Sequence, residues 1–109
     1  MHSVELKLLP VSNGDSIHLR FSDQDGIMRN ILIDGGPAKA YEYLNSKKKK
    51  EEGALKELIN FIRAKNEQID LLILTHIDDD HIGGILRWFE DSLNLNDLVK
   101  EVWFNSGLI

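Results

Sequence analysis

The segment Thr75-His76-Ile77-Asp78-Asp79-Asp80-His81-Ile82-Gly83-Gly84 sets two imidazoles and three carboxylates within six positions. At about 4 Å, like charges repel by about 1 kcal/mol in water and about 4 kcal/mol at an effective dielectric of 20. A partly buried loop does not gather that repulsion without compensation, and a divalent cation supplies it. Neutral imidazole plus carboxylate is a suitable donor set. His76 and Asp78 are two apart and can point the same way from an extended loop. Asp80 and His81 are adjacent and diverge toward a neighbouring position, which allows a second ion. Gly83 and Gly84 remove side chains beside the site, so backbone can approach closely. The competing reading is that Asp79 or Asp80 caps the following helix. Capping accounts for one Asp, not for three with flanking histidines. Asp79 is read as facing solvent or capping the helix, with help to a proton transfer as the lesser reading.

The rest of the composition narrows the chemistry. There is no cysteine, so disulfides, thiolate ligands and a cysteine nucleophile are excluded. Any metal must be held by His and carboxylate. The formal net charge of −5 argues against a broad basic surface for nucleic acid. The 109 residues suit one small domain with a real core. No run of about 20 apolar residues exists to span a membrane. The N-terminus lacks a basic stretch followed by an apolar one, so no signal peptide is expected and the cytoplasm is the default location.

The elements that must position these residues can be read from periodicity. Val4 to Leu9 alternates apolar and charged residues as a half-buried strand does, and Pro10 ends it. Asn13-Gly14-Asp15 signals a turn, and Ser16 to Phe21 alternates again. Ser22 to Gly26 reads as a hairpin turn before a third strand, Arg29 to Ile33, which Asp34-Gly35-Gly36-Pro37 stops. Ala38 to Ser46 suggests a short helix, and Lys47 to Glu52 a solvated loop or helix start, with a nucleic-acid contact as the lesser reading. Leu55, Leu58, Ile59 and Ile62 mark a helix over Ala54 to Lys65, ending near Asn66. Ile69 to Leu74 reads as a strand buried on both faces. Thr75 to Gly84 is then a loop, Ile85 to Leu93 a helix with Ile85, Leu86 and Phe89 inward, and Glu101 to Phe104 a last strand. The order is βββαβαβ, which is layered α/β packing. His18 is expected on the polar face of its strand, and neither it nor His2 is expected to bind metal.

The Thr75–Gly84 segment resembles the HxHxDH loop of the metallo-β-lactamase superfamily. Asp78 replaces the middle His, as in the THxDxDHIGG form of the branch similar to the extracellular domain of the DNA-uptake protein ComEC. Leu32-Ile33-Asp34-Gly35-Gly36 resembles the family's first motif, and Asn13-Gly14-Asp15-Ser16 matches a turn in the same branch. The resemblance implies the N-terminal half of an αββα sandwich, a mixed sheet with flanking helices, so residues 1–109 form one incomplete domain. It implies His76, Asp78, Asp80 and His81 as metal ligands, with Asp80 and Asp34 as catalytic residues. Asp34 would orient the ligand loop; the simpler reading of Asp34-Gly35-Gly36 is a tight turn. One or two divalent ions are expected, zinc first and manganese or iron as alternatives, which the Asp78 carboxylate favours more than a three-His site would. They would activate water against an ester or phosphodiester bond. The later ligands of the family have no counterpart here. The alternative is therefore an inactive metal-binding or interaction module. Either way, the apolar face of a half-sandwich predicts self-association or pairing with the missing half.

Overall fold

A computed structural model describes residues 4–10, 16–92 and 97–104. Its frame is a five-stranded mixed sheet. The strands are β1 (Val4–Leu8), β2 (Ile17–Ser22), β3 (Met28–Ile33), β6 (Leu71–Leu74) and β7 (Val102–Phe104), in the spatial order β1-β2-β3-β6-β7. β1, β2 and β3 pair antiparallel, while β3–β6 and β6–β7 are parallel. The parallel pairs need crossovers. One carries helix α1 (Ala54–Ala64) and the other helix α2 (Asp79–Asp91). The predicted α/β class holds, and the expected order of elements is kept outside residues 38–52, while the Asn13-Gly14-Asp15 turn and Leu93 lie outside the described residues.

In α1, Leu55, Ile59 and Ile62 are buried at spacings of four and three, the stripe that the sequence marks. The helix ends where Asn66 takes a left-handed φ of 56°, a conformation Asn tolerates. These residues pack with Leu32, Leu72, Ile85 and Trp88 into one core between the sheet and the helices. Leu86, expected inward, is 48% exposed; the buried side of α2 is carried by Ile85 and Trp88 instead.

Residues 38–52 depart from expectation. A single 3-10 turn, Ala38–Ala40, is followed by a hairpin of β4 (Glu42–Leu44) and β5 (Lys50–Glu52). Asn45 organises its tip, its Oδ1 accepting the backbone N–H groups of Lys47 and Lys49. The lysine run is thus a solvated turn and strand, not a helix start. His18 also departs: it is 5% exposed, on the helix side of the sheet, with Nε2 2.7 Å from Asn30 Oδ1. Burial pushes its pKa down, which favours the neutral ring.

Among the described residues, the helices cover one face of the sheet. On the other, the register aligns Leu8, Ile17, Ile33, Ile73 and Trp103 across all five strands. A second apolar row runs Leu6, Leu19, Ile31, Leu71. Val4, Leu6 and Leu8 are 68%, 67% and 71% exposed. On β6, Leu72 is fully buried on the helix side while Leu71 and Ile73 on the other face are half-buried, although the unbroken apolar run suits burial on both faces.

Candidate metal centre

Because β3 and β6 run parallel, their C-terminal ends share one edge of the sheet, the usual place for a ligand in such folds. Asp34 leaves β3 and Thr75 leaves β6, tied by the Asp34 N–H donating to Ile73 O at 2.8 Å. Asp34 has a φ of 58°, uncommon for a residue with a side chain but tolerated by Asp. Ser16 Oγ donates to its carbonyl at 3.0 Å. Asp34 thus makes the backbone turn and also aims its carboxylate at Thr75 and His81.

The Asp34 carboxylate is 2% exposed and takes three contacts. Oδ1 accepts the Thr75 N–H at 2.8 Å, Oδ2 accepts the Thr75 hydroxyl, and His81 Nδ1 lies 3.0 Å from Oδ2. His76 is exposed, with Nδ1 2.9 Å from Thr75 Oγ1. The two imidazole centroids are 4.6 Å apart. One potential ligand atom from each of Asp34, His76 and His81 lies within 4.8 Å of the others. Two imidazoles beside a carboxylate, with His81 backed by that carboxylate, fit a divalent ion. The Asp34 oxygens already take three contacts from the chain, an arrangement that suits Asp34 to holding His81.

Asp78, Asp80 and Asp79 sit elsewhere in this arrangement. The expected loop is shorter than Thr75 to Gly84, because α2 begins at Asp79 and not at Ile85. Asp78 is at the N-cap position, without a side-chain cap bond, while Asp79 and Asp80 lie in the first turn. All three are exposed, and none joins the Asp34–His76–His81 group. An exposed helix N-terminus favours negative charge, so the repulsion argument for a partly buried acidic loop loses its force. What remains for a metal is the convergence of the histidines on Asp34.

The glycines set the depth at which α2 docks. Gly35 N–H donates to His81 O at 2.8 Å, and Gly84 N–H to Gly36 O at 2.9 Å. A Cβ on Gly84 would stand 2.5 Å from Gly35 O, and one on Gly83 2.7 Å from Ala38 N. Helix and turn therefore meet backbone to backbone, as the glycine pair suggests. Thr75 is the participant to which sequence reasoning assigned no role. Its only signal is a hydroxyl between a buried strand and the first His.

Residues 5–101 match the pattern of the Metallo-beta-lactamase superfamily. ComE operon protein 3 of Bacillus subtilis (strain 168) is 38% identical over 82 residues, which cover 72% of this chain and 10% of that protein. The chain thus spans a small part of the relative it resembles.

Proposed function

Because the chain belongs to the metallo-beta-lactamase superfamily, we propose that it is the metal-binding half of a metal-dependent hydrolase that cleaves an ester or phosphodiester bond. The observation that carries this is the approach of Asp34, His76 and His81 to within 4.8 Å at the end of β3 and β6. His76 and His81 would hold the ion through ring nitrogens, and Asp78 and Asp80 would add carboxylates from the start of α2. Asp34 fixes the His81 ring from behind. A bound divalent cation, zinc first and manganese or iron as alternatives, supplies Lewis-acid activation of water. The preference for a phosphodiester rests on the likeness of the Thr75–Gly84 segment to the ComEC-like branch.

Metal analysis and zinc titration of the purified chain test the proposal. His76→Ala is expected to lower affinity by at least the 10- to 100-fold (on the order of) seen when a ligand's outer partner is removed. Asp80→Ala separates two roles. A ligand would show as lost affinity and lost phosphodiesterase activity with zinc or manganese. A helix-end charge would show only about 0.3–1 kcal/mol of lost stability. Equal metal content in wild type and His76→Ala sinks the metal centre.

The uncovered sheet face supports a second part of the reading, an association role. Two apolar rows across the strands resemble the inner face of a sandwich, where sheets stack about 10 Å apart. The occupant is a complementary apolar sheet, and for this chain alone that is a second copy. Light scattering after size exclusion is expected to give a dimer or larger, with Leu6→Lys plus Leu8→Lys shifting it toward monomer. A wild-type chain that stays monomeric and binds no hydrophobic dye rules the association out.

A further inference from the structure

We infer that Thr75 is a positioning residue that sets the tautomer of His76, through a relay it shares with Asp34 and His81. The inference rests on the metal-centre reading and assigns a task to a side chain that is not itself a ligand.

The argument is a count of protons. A carboxylate only accepts hydrogen bonds, and a threonine hydroxyl has one proton to give. Thr75 Oγ1 gives that proton to Asp34 Oδ2. It has none left for His76 Nδ1, which lies 2.9 Å away. The His76 contact therefore requires Nδ1 to carry the proton and Thr75 Oγ1 to accept it. His81 Nδ1, 3.0 Å from the same carboxylate oxygen, must likewise be the donor. Both rings then keep Nε2 as a bare lone pair, the form that binds a metal. One buried carboxylate thus fixes two imidazoles: His81 directly and His76 through the Thr75 hydroxyl. The Thr75 backbone N–H, bonded to Asp34 Oδ1 at 2.8 Å, holds the hydroxyl in register. A side chain lacking the hydroxyl would leave His76 Nδ1–H without this partner, while His81 would keep its own.

The test uses Thr75→Val, which keeps the branched shape, and Thr75→Ser, which keeps the hydroxyl. Long-range nitrogen–proton NMR correlations of the metal-free chain, at alkaline pH where imidazoles are neutral, report each ring's tautomer. In wild type both rings are expected to be protonated at Nδ1. In Thr75→Val, His76 is expected to lose that preference while His81 retains it, and zinc affinity is expected to fall by about 10-fold. Thr75→Ser is expected to restore both. An unchanged His76 tautomer in a folded Thr75→Val overturns the inference, as does a failure of Thr75→Ser to rescue. If wild type shows these tautomers yet binds no zinc, the relay stands and the metal reading falls.

Discussion

Asp34→Asn is expected to weaken zinc binding by about 10- to 100-fold, the range for removing an outer partner of a metal-ligating His. Asparagine is the informative change because it tolerates the left-handed φ of 58° and keeps the side-chain shape. Its carbonyl can still accept the Thr75 N–H that Oδ1 accepts now. The difference lies at the other oxygen, which receives the Thr75 hydroxyl and His81 Nδ1. There an amide NH2 would face two donors. Thr75 can rotate its hydroxyl away, but His81 must give up the bond or move its proton to Nε2, which blocks metal. A buried donor left unpaired costs about 1–3 kcal/mol, so metal-free stability falls too. Calorimetric zinc titration and urea unfolding measure the two effects. Wild-type zinc affinity in a folded Asp34→Asn would mean that the carboxylate does not organise the site.

Gly84→Ala is the second large effect, and its sign is a contest. Alanine in a helix interior is worth about 1 kcal/mol over glycine, and Gly84 lies inside α2. Against this, the added methyl would sit 2.5 Å from Gly35 O and 3.1 Å from Pro37 O. Both are backbone atoms, which cannot rotate aside as a side chain can. Overpacking of this kind costs about 1–3 kcal/mol, occasionally more, and the Gly84–Gly36 hydrogen bond of 2.9 Å is stretched as well. The net expectation is a loss of about 2 kcal/mol, large beside the total of about 5–15 kcal/mol typical of a domain. Zinc affinity should drop with it, because pushing α2 outward separates His81 from Asp34. A thermal scan showing Gly84→Ala more stable than wild type would mean that the helix is less tightly docked.

The sequence discloses what depends on local repetition. Alternation marks β1 and β2, the three-and-four spacing marks α1, and the crowding of His and Asp marks the site. It hides what depends on distant pairing. Asp34 and Thr75 lie 41 positions apart, so their bond follows only from β3 joining β6. The hairpin over residues 42–52 was obscured because a lysine run carries no hydrophobic period, and an Asn-centred turn does the organising. The early start of α2 was missed because two glycines lie near its beginning; their docking against the Asp34 turn outweighs their poor helix propensity. The acidic triplet is legible as a cluster, but its place at the exposed start of α2 is not, because that depends on where the helix begins.

The chain has two tryptophans, and they stand in opposite surroundings. Trp88 is 0% exposed in α2, its Nε1–H without a partner among the described residues. Trp103 is 56% exposed on the uncovered sheet face. The molecule therefore carries two built-in optical reporters. Blue-shifted emission from Trp88 follows the integrity of the interior, and quencher-accessible, red-shifted emission from Trp103 follows whatever covers the sheet. Single Trp→Phe variants would let one fluorimeter follow unfolding and assembly as separate signals.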